Sequence, residues 1–331
     1  MKIKTPSTLA DIARLAGVSK TAVSLVINHK AQANRLSPRT VEKIRRLVKQ
    51  HNFAPSQFAR GFRLRSTRTV GLVVSDLTNR FSSLVAQSVE ATARPHGFHL
   101  VIGSTQDDPG REKEVVRTLL AQSVDGLILS SVQTDGRLHR QIVSHGRPVV
   151  YYDRLVPGVR APAVATDNYA AAQGLARHLL SRGFQRIAFI GGLAHVSTEQ
   201  ERLAGFKDAL RPSGLKPACI LAADFSIAAG AALAGRLLQD KKPLPDAVFT
   251  ASFTLLEGFL SHLKKSRGLP PAFGLATFDD HPLLDLLPFP VASVQQDCEK
   301  MGQEAFRLFL ASREGKKTPP PVRLPAELII R

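Results

Sequence analysis

The chain is poor in cysteine. Only Cys219 and Cys298 carry a thiol among 331 residues, and neither has a neighbouring set of metal-ligand residues. That argues against a disulfide framework or a cysteine metal site and leaves two buried, reduced thiols as the expectation. No uncharged apolar run approaches the roughly 18 residues of a membrane span. The opening MKIKTPSTLADIA lacks the apolar stretch of a signal peptide, so a cytoplasmic protein is expected. Signatures of catalysis are missing as well. Gly191-Gly192 follows an apolar run, but no G-x-G-x-x-G or G-x-x-x-x-G-K-[ST] accompanies it, and there is no G-x-S-x-G elbow. His178, His195 and His281 are scattered without triad or metal spacing. No catalytic residue, cofactor or metal is expected. Acidic residues, finally, are scarce at one end. Before residue 70, fifteen lysines and arginines face only Asp11 and Glu42, so most of the formal net charge of +18 sits there. A segment this cationic suits a polyanion, and no aromatic-faced amphipathic helix accompanies it to favour lipid over nucleic acid.

Inside that basic segment, TLADIARLAGVSKTAVSLVIN (8–28) reads as two short helices and a tight turn. Thr8 can cap the first helix, with Asp11 three residues on. Leu9, Ile12, Ala13 and Ala16 form an apolar stripe at helical spacing. Gly17 ends the helix, because only glycine takes a left-handed residue without steric cost. Ser19 caps the second helix, whose apolar face is Val23, Val26 and Ile27, with Lys20, Thr21, Ser24 and Leu25 off that face. This is the pattern of a DNA-reading helix-turn-helix; the alternative is an ordinary helical hairpin with a solvated polar face. Ser37-Pro38 opens a third helix, with Val41, Ile44, Leu47 and Val48 as its stripe and a stop near His51-Asn52. Over 55–63, Phe58 and Phe62 sit four apart beside Arg60 and Arg63. That is either a short helix needing a partner or a disordered linker.

From Val70 the texture changes. VGLVVSD, FHLVIGST, VDGLILSS, PVVYYDR, RIAFIGG, CILAADF, AVFTASF and FGLATFDD are short apolar runs, separated by helix-length segments such as 82–96, 168–182, 200–210, 228–239 and 299–312. The alternation predicts parallel sheets covered on both faces, and the number of runs predicts two doubly wound lobes. VASVQQD (291–297) and the final VRLPAELIIR are read as crossovers between lobes. Most runs end in small or polar residues, which would line a cleft beyond the strand ends.

Over its whole length the chain resembles the LacI/GalR family of transcriptional regulators. TLADIARLAGVSKTAVSLVIN, SPRTVEKIRRLVKQHNFAPSQFARGFR and RTVGLVVSDLTNRFSSLVAQSVE are similar to that family's headpiece, hinge and first lobe. The longer loop after Asn28, and AVFTASFTLLEGFL, LATFDDHPLLDLLPFP and VASVQQDCEKMG, are most like its sucrose- and fructose-operon subgroup, whose effectors are fructose and fructose phosphates. The resemblance implies an α/β fold: an all-α helix-turn-helix headpiece (1–54), a hinge helix and linker (55–69), and a two-lobed, periplasmic-binding-protein-like effector and dimerisation domain with doubly wound parallel sheets (70–331). It implies a cytoplasmic homodimeric repressor that reads a near-palindromic operator in double-stranded DNA and leaves it when fructose, fructose 1-phosphate or a related sugar binds between the lobes. On the DNA side it implies Lys20, Thr21 and Ser24 in the major groove, and Thr8, Ser19, Asn28 and Arg35 at phosphate-contacting or helix-anchoring positions. Ser56, Ala59 and Phe62 fall to the hinge, where Phe62 stands in for the usual Leu wedge and Ser56 for the frequent Asn. For the effector it implies Ser75, Asn79, Phe81, Ser130, Asp153, Arg154, Arg202, Phe225, Ser252, Asp279 and Gln296. Plainer roles stand beside two of these: Asp279 can cap a helix, and Arg202 can pair with Glu199 or Glu201 at the surface. Two other classes stay in view, a stand-alone periplasmic sugar-binding protein and an α/β enzyme; a basic headpiece argues against the first and the missing motifs against the second.

Overall fold

The computed structural model describes residues 8–27, 34–51, 53, 66–239, 244–264 and 273–331. They fall into two compact units, divided between Thr67 and Arg68. The expected hinge helix over 55–63 lies outside the described residues.

In the first unit, α1 (Leu9–Ala16), α2 (Lys20–Ile27) and α3 (Pro38–Gln50) surround a small core. The α1 start is a reciprocal capping box: the Thr8 hydroxyl accepts from the Asp11 backbone N–H, and the Asp11 carboxylate accepts from that of Thr8. Gly17 ends α1 with φ 67°, a left-handed conformation that a side chain would strain. Ser37 caps α3 through the Thr40 backbone N–H, and Pro38 occupies the first turn, where its missing N–H costs no hydrogen bond. Ile12, Ala13, Ala16, Val23, Val26, Ile44 and Phe53 are buried, while Val41, Leu47 and Val48 of the α3 stripe are only partly covered.

The second unit holds two six-stranded sheets. Twelve strands run β1 (Thr69–Val74), β2 (His99–Ser104), β3 (Leu127–Leu129), β4 (Val149–Tyr152), β5 (Ala163–Thr166), β6 (Ile187–Gly191), β7 (Cys219–Ala222), β8 (Ala247–Thr250), β9 (Gly274–Phe278), β10 (Val291–Gln296), β11 (Val322–Leu324) and β12 (Ala326–Ile330). The first sheet has the order β11-β5-β4-β3-β1-β2 and the second β12-β10-β9-β8-β6-β7. All pairings are parallel except β12 with β10. The helices that cover them are α4 (Arg80–Ala93), α5 (Pro109–Ala121), α6 (Arg137–Ser144), α7 (Asn168–Ser181), α8 (Ser197–Leu210), α9 (Ile227–Gln239), α10 (Phe253–Leu263) and α11 (Cys298–Arg313). Parallel strands buried on both faces explain the unbroken apolar runs: β3, β4, β5, β6, β8 and β9 are buried throughout. Phe189, Phe206 and Phe249 form the aromatic centre of the second lobe, with ring centroids 5.2–5.3 Å apart.

The chain passes between lobes three times: at Asp167 between β5 and α7, at Asp297 between β10 and α11, and at Pro325 between β11 and β12. The C-terminal region is thus shared. Helix α11 packs on α4, β4 and β5 of the first lobe, whereas β10 and β12 belong to the second. Hydrogen bonds tie the crossovers together. Thr166 Oγ1 donates to Gln296 Oε1 at 2.5 Å, and Arg323 forms a two-pronged pair with Glu201, 2.7 and 2.8 Å, while donating to the Thr166 carbonyl.

Candidate functional site

Helix α2 presents Lys20 and Thr21 exposed and Ser24 half-buried, while Val23 and Val26 face the core. The Ser19 hydroxyl accepts from the Ala22 backbone N–H at 3.1 Å, so its side chain secures the start of α2. Thr8 likewise spends its hydroxyl on the α1 cap. Arg35 is exposed, with φ 52°. Asn28, Ser56, Ala59 and Phe62 lie outside the described residues.

In the second unit the strand ends of both lobes enclose a cavity of about 460 Å³. Ten of the eleven residues that the family resemblance assigns to an effector line it: Ser75, Asn79, Phe81, Asp153 and Arg154 from the first lobe, and Arg202, Phe225, Ser252, Asp279 and Gln296 from the second. Ser130 is the exception. Its backbone N–H still bonds the Val73 carbonyl, as in the sheet, and the residue is buried outside the lining. Position at a strand end is therefore insufficient to place a residue in the lining. Cavity residues that neither strand ends nor the resemblance pointed to are Gln106, Asp107, Asp108, Leu193, Thr198, Asp224, Ser226 and Thr254, on helix starts or the turns before them.

The backbone is bent where the carboxylates project. Asp153 and Asp279 follow the fourth strand of their respective lobes, and both are left-handed, with φ 63° and 67°. Such non-glycine residues cost about 1–3 kcal/mol and persist where the surroundings over-determine them. Gln296 Nε2 donates to Asp279 Oδ1 at 2.6 Å. Asp279 caps no helix, since the short turn of helix at Pro282–Leu286 is capped by His281. Burial pushes the Asp153 carboxyl above the usual carboxylate range, against the pull of Arg154 and Arg202.

Both cavity arginines are buried. Arg202 donates from Nε to Asn168 Oδ1, 2.8 Å, and from Nη1 to the Ala251 carbonyl, 2.7 Å, and lies 4.0 Å over the Phe278 ring. It does not take the surface role. Glu201 pairs with Arg323, and Glu199 accepts from the Gly192 backbone N–H at 3.0 Å. Arg154 donates to both oxygens of Asp107, at 2.6 and 3.3 Å, and stands 5.4 Å over the Phe225 ring. Burial alone would lower its pKa, but Asp107 more than offsets this and holds it above the usual value.

The Gly191-Gly192 pair has a steric explanation unrelated to nucleotides. A Cβ on Gly191 would meet the Glu199 carboxylate, and one on Gly192 would sit 2.4 Å from the Phe225 ring. The pair lets Glu199 and Phe225 reach their places. Carboxylates and an amide around an aromatic face are what a polyol needs. Asp279, Asp153 and Gln296 can hold hydroxyls, Phe225 can cover an apolar sugar face, and the arginines can meet an anionic group.

Comparison with known proteins agrees with both units. The profile of bacterial regulatory proteins of the lacI family matches residues 8–56, and that of periplasmic binding proteins and the sugar-binding domain of the LacI family matches residues 67–329. The chain is 34% identical over 315 residues to the catabolite repressor/activator of Salmonella typhimurium, spanning 95% of this chain and 94% of that one. It is 34% identical over 331 residues to the sucrose operon repressor of Klebsiella pneumoniae, spanning 98% of each. A crystal structure of the Cra transcriptional dual regulator from Pseudomonas putida, in complex with fructose 1-phosphate, superposes with a TM-score of 0.74 at 31% identity, over 80% of this chain and 98% of that one.

Proposed function

The chain belongs to the LacI family of bacterial regulatory proteins, and from that premise we propose that it is an operator-bound repressor of sugar-metabolism genes, released by a fructose-type sugar or sugar phosphate. The observation that carries the effector reading is the convergence of Asp153, Arg154, Arg202, Phe225, Asp279 and Gln296 on one cavity between the lobes. The relatives named as sucrose operon repressor and as a dual regulator holding fructose 1-phosphate support the choice of sugar. Residues 1–54 are the headpiece, 55–69 the hinge segment and 70–331 the effector and dimerisation domain. Lys20, Thr21 and Ser24 read bases, with Thr8, Ser19, Asn28, Arg35, Ser56, Ala59 and Phe62 supporting DNA contact. A homodimer matches the two-fold axis of a near-palindromic operator. Its role is regulatory rather than catalytic, and its place is the cytoplasm; no helix among the described residues is long and apolar enough to cross a membrane.

Sugar binding changes the angle between lobes and weakens operator affinity. A coupling of about 1–3 kcal/mol suffices. The test is fluorescence anisotropy of the full chain on DNA from upstream of its own gene, with fructose, fructose 1-phosphate, fructose 1,6-bisphosphate and sucrose titrated into the complex. Release by one of them at micromolar concentration is expected. Tight operator binding that none of them reverses would overturn the fructose reading and leave the DNA-binding one standing.

A further inference from the structure

Arg154 is the one cavity cation held by a carboxylate hydrogen bond among the described residues, and the way it is held bears on what the cavity accepts. Its side chain is 7% exposed, and Asp107 engages both terminal nitrogens. The third donor, Nε, is buried and has no hydrogen-bond partner; the nearest carboxylate oxygen, of Asp153, is 3.6 Å away. An arginine fork matches a phosphate as well as it matches a carboxylate. Asp107 therefore already occupies the Nη1–Nη2 edge of the guanidinium, one of the two edges on which it could fork to a phosphate, and its charge sits beside the other, inside the same cavity.

From this we propose that Asp107 is a specificity-determining residue that sets the preference between uncharged and phosphorylated effectors. An uncharged sugar leaves the Arg154–Asp107 pair intact. A phosphorylated sugar must either displace the Asp107 carboxylate from Arg154 or accept a like charge beside its phosphate. Asp107 stands on a left-handed turn between β2 and α5, with φ 52° at Gln106 and 58° at Asp107. The proposal rests on the reading of this cavity as the effector site.

Two substitutions suit the left-handed backbone and remove the charge, Asp107→Asn and Asp107→Gly. In operator-release titrations either one raises the effectiveness of fructose 1-phosphate relative to fructose by about tenfold, the scale of one charge-assisted hydrogen bond. A ratio of midpoints that stays at the wild-type value overturns the proposal. A second measurement does not depend on which sugar is the effector. Both variants leave a buried guanidinium without its carboxylate, so both melt at a lower temperature than wild type. Inorganic phosphate, the probe, then raises the melting temperature of the variants more than that of wild type, and adding Arg154→Gln removes the difference. Equal phosphate response in wild type and variants, or a response that survives Arg154→Gln, overturns the assignment of Asp107. Failure of every sugar to release the wild-type protein overturns the effector reading instead, and the two failures are told apart by the phosphate arm.

Discussion

Glu112 sits in the first turn of α5, in the run PGREKEVVRTLLA, where an acid normally faces water. In this fold it is fully buried. Oε1 accepts from the Ser131 hydroxyl at 2.6 Å and Oε2 from the Val132 backbone N–H at 2.8 Å, so it pins the turn after β3. Helical spacing puts it on the buried stripe of Val116 and Leu119, but by residue type it reads like its solvated neighbours Glu114 and Lys113; the packing of α5 on β1 and β2 buries it. Burial pushes its carboxyl above the ordinary value of 4.5. A raised carboxyl binds its proton more tightly in the folded state, so stability falls as pH climbs from that ordinary value through the folded one. Glu112→Gln keeps both contacts, with its amide nitrogen toward the Ser131 oxygen, and carries no charge. Its melting temperature relative to wild type should rise as pH climbs above that ordinary value. Glu112→Leu strands the Val132 N–H and should cost about 1–3 kcal/mol in denaturant melts. An unchanged Gln-minus-wild-type difference across that range would mean that Glu112 is not paying for its burial. The cavity residues, by contrast, were legible where the family resemblance carried them. The family resemblance assigns Arg202, Asp279 and Phe225, and all three line the cavity. Asp107 and Thr198 were not, because helix-start residues look alike from sequence whether or not they face a cleft.

Elements with capping signals and full periodicity were the readable ones. Thr8 with Asp11, Gly17 after Ala16, and Ser37-Pro38 mark α1 and α3 with bounds the structure repeats. Eight apolar runs correspond to β1, β2, β3, β4, β6, β7, β8 and β9. Strand β5 escaped: AVAT is four residues long and half alanine, and its membership of the sheet comes from pairing with β4 and β11. The cap at α1 allows a direct test. Thr8→Ala removes one half of the reciprocal box and should destabilise the helix-turn-helix by about 1 kcal/mol. Hydrogen exchange of α1 amides in the full chain is the measurement. Protection should drop in α1 and α2 while β1–β4 keep theirs, because caps act locally. Loss of protection spread over the sheets would show that the two units do not unfold separately.

At the scale of the whole molecule, charge is divided as function is. The cations concentrate before residue 70, whereas the cavity is lined by carboxylates as well as its two arginines. Operator affinity should therefore fall steeply, and linearly on a log–log plot, between about 50 and 200 mM salt, while binding of an uncharged sugar should hardly change. Anisotropy for the first and calorimetry for the second, on the same preparation, make the comparison. A salt-insensitive operator complex would contradict phosphate-dominated docking.

The three passages between lobes also have a consequence in time. The first lobe takes α11 and β11 from residues 298–324, so it cannot be completed until nearly the whole chain has been synthesised. Until then Phe98 lacks Phe306 and Phe309, whose rings meet it edge-on at 5.8 and 5.5 Å, and β5 lacks its neighbour β11. Contacts this distant in sequence close late. A ribosome that stops early releases a DNA-reading head on an unfinished lobe, a substrate for proteases rather than a repressor deaf to sugar. Placing the last strands in both lobes makes the protein's responsiveness a condition of its survival.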